Sequence, residues 1–151
     1  MDKKYLYLFV LVAVILVGYY FLFSSKPAYA EGYVDGPLHW HSQLTVMING
    51  KNVTIPNDVG LDFTPESPVH THEEGNGTIH LEFSASKVPR NQLAVGYFIN
   101  KVWKQPFNST CILNECNAGN KTVKMFVNGK PNNEFDKYVM KDDDEILIRY
   151  D

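Results

Sequence analysis

Residues 5–23 carry no charge, and Lys3 and Lys4 stand immediately before them. This run constrains the chain more than any other feature. Nineteen residues at about 1.5 Å each span nearly the ~30 Å hydrocarbon core of a bilayer. The preceding lysines predict a cytoplasmic N-terminus and an exported C-terminal part. A cleaved signal peptide is the competing reading, with Ala28-Tyr29-Ala30 as an A-x-A site. The length of the run and its aromatic end (Tyr19, Tyr20, Phe21, Phe23) favour a retained single-pass anchor. The chain thus divides into an N-terminal transmembrane anchor or signal segment, 1–30, a linker, 31–37, and an extracytoplasmic β-rich domain, 38–151. The remaining ~120 residues suffice for one hydrophobic core.

From Glu31 onward there are 16 acidic and 11 basic side chains, a net charge of -5 with no basic stripe. Neither nucleic acid nor a nucleotide is expected as a partner. Export also colours the two cysteines, Cys111 and Cys116. In an oxidising compartment such a pair is expected to form a disulfide rather than a thiolate metal site. Four N-x-Thr triplets start at Asn52, Asn76, Asn108 and Asn120 and are candidate glycosylation acceptors.

The domain reads as mainly β with one helix, an α+β chain folded as a compact β-sandwich or a β-grasp-like domain. Gln43 to Ile48 alternates roughly with period two, and Asn49-Gly50 separates it from a second run, 51–55. Asn-Gly between such runs predicts a type I′ hairpin, which needs positive φ at both central residues. A second hairpin is expected over 69–83, with its turn at Glu73-Glu74-Gly75-Asn76-Gly77. Leu93, Val95, Phe98, Ile99, Val102 and Trp103 roughly follow helical spacing and predict a helix over 89–103. Strands follow over 123–127, before Asn128-Gly129, and over 145–150. Asp142-Asp143-Asp144 is expected to be a solvated turn, with weak calcium binding as a minor option.

All five histidines fall in three short motifs: His39 and His41, His70 and His72, and His80 beside Glu82. On a strand, residues i and i+2 share a face, so each H-x-H pair presents two imidazoles about 6–7 Å apart. A hairpin over 69–83 brings His80 toward His70 or His72, and a neighbouring first strand adds His39 and His41. Imidazoles with a carboxylate from Glu82, Glu73 or Glu74, as ligand or supporting group, make a plausible transition-metal site. A single histidine is more often a surface or hydrogen-bonded residue or a pH-sensitive group. The clustering of all five points to metal binding. Met47 lies six residues past His41, and no cysteine is near, which disfavours Cu(I). Cu(II) and Zn(II) remain, with a slight preference for copper.

These motifs resemble a largely uncharacterised group of membrane-anchored extracytoplasmic proteins, chiefly archaeal. The resemblance rests on His39-Trp40-His41, Asn49-Gly50-Lys51, Val69-His70-Thr71-His72, and Gly77-Thr78-Ile79-His80-Leu81-Glu82. It continues through Val95-Gly96-Tyr97-Phe98, Trp103 and the segment from Tyr138 to Ile146, so it covers nearly all of 38–150. Related sequences are expected to carry glycine where this chain has Asp143. The ending is also similar to the last hairpin of β-grasp domains, a likeness of fold alone. The group implies no activity.

The functional expectation is a membrane-anchored metal-binding module for storage or delivery, or an accessory subunit of a membrane complex. An enzyme resembling cupin oxygenases is an alternative, disfavoured because no nucleophile motif or substrate pocket is evident and the cupin glycine and proline framework is missing. A surface domain stapled by a structural metal is the third reading.

Overall fold

A computed structural model describes residues 4–5, 32–72 and 76–151. The expected transmembrane or signal segment, beyond residues 4 and 5, lies outside the described residues, as do Glu73 and Glu74. Among the described residues no helix is long and apolar enough to cross a membrane.

The domain is mainly β, with eleven strands among the described residues: β1 (Tyr33–Asp35), β2 (Leu38–Ile48), β3 (Lys51–Val53), β4 (Val69–His70), β5 (Thr78–Phe83), β6 (Lys87–Pro89), β7 (Cys111–Ile112), β8 (Glu115–Cys116), β9 (Val123–Val127), β10 (Lys130–Pro131) and β11 (Asp144–Tyr150). Seven of them form one sheet in the order β10-β9-β11-β2-β5-β4, with β3 also pairing β2. β2 and β11 are parallel, with Asp144 opposite Ser42 and Tyr150 opposite Ile48. Every other pairing in this sheet is antiparallel. β2 is long enough to hold two partners on one edge: β5 along its first half and β3 along its second.

The expected turns form as their chemistry requires. Asn49 and Gly50 have φ of 51° and 76°, and Asn128 and Gly129 have 50° and 74°, the double left-handed geometry of a type I′ turn. Asn is among the few side-chain-bearing residues that tolerate it cheaply.

Two segments depart from expectation. The helix over 89–103 is divided into a 3-10 turn, Arg90–Leu93, and a π-type helix, Tyr97–Val102. Between them Ala94 is extended and bridges Val139. The backbone of Val95 donates to Tyr138 O and that of Met140 donates to Leu93 O, both at 2.9 Å. These tertiary bonds use groups a continuous helix would keep for itself. The apolar spacing is still honoured, since Leu93, Val95, Phe98, Ile99 and Val102 are all buried.

The second departure lies in the expected linker. Tyr33–Asp35 pairs with Lys87–Pro89 as a small antiparallel sheet, closed by an ion pair between Asp35 and Lys87. Gly36 donates to Ser86 O at 3.0 Å, and a Cβ there would lie 2.1 Å from Ala85 O. Only glycine allows that approach.

The core lies on one face of the large sheet. Leu44 and Val46 from β2, Ile79 and Leu81 from β5, Met125 from β9, and Ile146 and Ile148 from β11 are buried there with Phe98, Ile99 and Met140. Cys111 and Cys116 face each other across β7–β8 and form the expected disulfide. Asn52, Asn76, Asn108 and Asn120 are all exposed.

Candidate metal centre

The period of two that builds the core also builds the opposite face. In β2, Leu38, Ser42, Leu44 and Val46 are buried, which turns His39 and His41 to the other side. In β5, Ile79, Leu81 and Phe83 take the core side, and His80 and Glu82 face outward with the β2 histidines. Register then aligns them. His80 lies opposite His41 on β2 and opposite His70 on β4, so three histidines form one row across three strands. Glu82 lies opposite His39 in the adjacent row.

The rings form a connected cluster. Centroids are separated by 5.1 Å for His39–His41, 4.7 Å for His41–His80, 5.5 Å for His70–His80, 4.1 Å for His72–His80 and 5.2 Å for His70–His72. All five sequence-predicted histidines are therefore brought together, with Glu82 among them.

Thr71 explains why the H-T-H segment holds its shape just past β4. It is buried between two histidines, its hydroxyl donates to Pro56 O at 2.8 Å, and its backbone donates to Val59 O at 3.1 Å. His70 is fixed independently. Its Nδ1 lies 3.0 Å from Ser67 O. A carbonyl only accepts, so Nδ1 carries the proton and Nε2 keeps its lone pair. A histidine held this way through its second nitrogen is the usual arrangement of a metal ligand.

His80 is the centre of the cluster. It is 8% exposed, and among the described residues neither ring nitrogen has a hydrogen-bond partner. Buried polar groups are normally paired, so such an imidazole calls for a ligand. The Glu82 carboxylate approaches His80 Nδ1 at 3.6 Å and His39 Nε2 at 3.5 Å, within ion-pair but not hydrogen-bond range. Burial pushes the His80 pKa down, and the neighbouring His72, His41 and His70 push it the same way against the opposing pull of Glu82. The ring is accordingly held neutral, the form that binds a metal.

Two groups of donors could each hold a metal ion: His70, His72, His80 and Glu82, and His39, His41 and His80. Within each, one candidate donor atom per residue lies within 4.8 Å of the others. Bonds of about 2.0–2.1 Å would place tetrahedral donors roughly 3.3 Å apart, so modest side-chain rotations close either group. The donors are nitrogen and oxygen, suited to Zn(II) and to Cu(II) alike. Met47 shares the outward face with His41, but six residues of strand put it about 20 Å along.

No local motif foretells what braces His41. Its backbone N–H donates to Asp142 Oδ1 at 2.9 Å, and Asp143 N–H donates to its carbonyl at 2.8 Å. Ser42 Oγ donates to Lys141 O at 2.9 Å. The acidic turn is thus stitched to the strand bearing the site. Nor is it wholly solvated as expected: Asp144 is buried and accepts from Tyr138 Oη at 2.7 Å, Lys141 N at 2.8 Å and Asn128 Nδ2 at 2.9 Å. Both Asp144 oxygens are occupied, which corrects the calcium option for that residue. The alternation of the closing strand, read back one residue, would have placed Asp144 on the core face. Tyr138 is driven well above its ordinary pKa by burial and by Asp144. Asp143 has φ of 61°, the left-handed conformation that glycine adopts most readily.

No family model, curated protein or solved structure matches the chain.

Proposed function

We propose that the protein is an extracytoplasmic metal-binding module, held at the membrane by residues 1–30, that carries Cu(II) or Zn(II) on His39, His41, His70, His72 and His80 with Glu82 in support. It stores or delivers the ion, or serves as an accessory subunit of a membrane complex. One observation carries this reading: the neutral, buried His80 ring has no hydrogen-bond partner among the described residues and sits at the meeting point of three other imidazoles. Folding alone gains nothing from that arrangement, because an unsatisfied buried polar group costs about 1–3 kcal/mol.

The exposure of His39 and His72 supports exchange of the ion with solution or a partner. The four-donor group supports a structural staple as second reading, since closed four-ligand sites are typical of structural zinc. A cupin-like enzyme draws less support: cupins are double-sheet jelly rolls, whereas here one mixed sheet carries the site. The order β3-β2-β11-β9, with first and last strands parallel and a helix between the two hairpins, supports a β-grasp-like core into which the histidine hairpin β4–β5 is inserted.

The test is the metal content of the full chain, purified without a polyhistidine tag and measured by elemental mass spectrometry before and after loading with limiting Cu(II) and Zn(II). Retained metal that falls in the His70→Ala/His72→Ala double variant is the expected result. Equal metal content in that variant would sink the reading.

A further inference from the structure

The two donor groups meet at His80. His70, His72 and Glu82 meet His80 in one group; His39 and His41 meet it in the other; His80 belongs to both, and Glu82 also approaches His39 at 3.5 Å. Register explains the division. His80 stands in the middle of its row, with His70 on β4 to one side and His41 on β2 to the other. The histidines of the first group therefore flank the gap between β4 and β5, and those of the second the gap between β5 and β2, with Glu82 opposite His39. Neighbouring gaps are about one strand spacing apart, roughly 4.8 Å.

Resting on the metal-binding reading above, we infer that the site is a two-ion centre in which the His80 ring joins the ions, one on each nitrogen. Each of its two nitrogens is buried and lacks a hydrogen-bond partner among the described residues. A single bound ion would satisfy one of them and leave the other stranded. Two ions satisfy both. When the second ion binds, the one N–H proton of the neutral ring passes to solvent and the ring becomes an imidazolate anion. Its charge, with that of Glu82, offsets the repulsion between two dications.

The two positions differ in kind. The β4–β5 position has four donors, two of them the buried His70 and His80. The β5–β2 position has three, and His39 is 69% exposed. Three donors on an open face leave a coordination position free. The first ion is retained and the second is the one exchanged.

The test is copper stoichiometry and electron paramagnetic resonance on the full chain, with His39→Ala/His41→Ala, His70→Ala/His72→Ala and His80→Ala beside it. The wild type is expected to hold two Cu(II) per chain, and each double variant one. The wild-type resonance should fall well below two spins because the bridging ring couples the ions, and His80→Ala should abolish that coupling. A brief chelator challenge should strip one ion from the wild type. One ion in the wild type, lost in both double variants, would show a single shared centre and overturn the inference. Two ions with full, uncoupled intensity would also overturn it. No retained ion at all would instead remove the underlying metal-binding reading.

Discussion

Replacing His80 by leucine should make the metal-free protein more stable while weakening any metal binding at the cluster. The imidazole is buried, and among the described residues both its nitrogens are unpartnered. Each such group costs about 1–3 kcal/mol. Leucine has similar bulk, brings no polar atom, and suits a site flanked by Ile79 and Leu81 in sequence. Allowing for imperfect packing, a gain of about 2 kcal/mol is expected in the metal-free state, or roughly 8 °C in Tm for a domain of this size. The metal-loaded comparison should invert. An ion at a thousand times its Kd adds about 4 kcal/mol to the wild type and little to the variant. Urea unfolding at pH 7.5, with and without chelator, measures both differences. A metal-free His80→Leu protein less stable than wild type would refute the reasoning, because it would show that the imidazole contributes to folding without an ion.

Other outcomes follow from the same contacts. The folded-state pKa of His80 lies below its unfolded value of about 6.5, so the unfolded chain takes up the proton first. Metal-free stability should fall as pH drops below about 6.5 and level off below the folded pKa, and urea midpoints at pH 7.5 and 5 should show less of this loss in His80→Leu. Cys111→Ser with Cys116→Ser opens a very short loop and should cost about 2 kcal/mol by the chain-entropy relation, with metal stoichiometry unchanged. In Gly96→Ala the new Cβ would lie 2.5 Å from Asp136 O, a backbone atom. That variant should lose at least about 1–3 kcal/mol in thermal unfolding, as overpacked sites do.

What could be read in the sequence was what local chemistry decides. Asn49-Gly50 and Asn128-Gly129 specify their turns through two residues each, so both hairpins were legible. The histidine face was legible because period two needs no knowledge of the partner strand: His39 with His41, and His80 with Glu82, share a face wherever β2 and β5 lie. Long-range pairing was not. Nothing near Ser42 announces that Asp144 will lie beside it in a parallel register. Ala94 looked helical because its bridge to Val139 lies 45 residues away. Asp144 looked solvated because its donors, Tyr138 and Asn128, become neighbours only when the sheet closes. The site itself was seen as five histidines in one place. That they form two groups about His80 depends on which strand lies on either side of β5.

The pairing of β1 with β6 would limit how far the domain could stand from an N-terminal membrane anchor. If residues 5–23 span the bilayer, only nine residues, 24–32, lie between the span and the first paired strand. Whatever their conformation, they reach at most about 32 Å. On so short a leash the histidine face would stay in a thin layer above the membrane. A protein embedded in the same bilayer would then meet that face within a layer no deeper than the tether, so membrane confinement alone would favour contact between them.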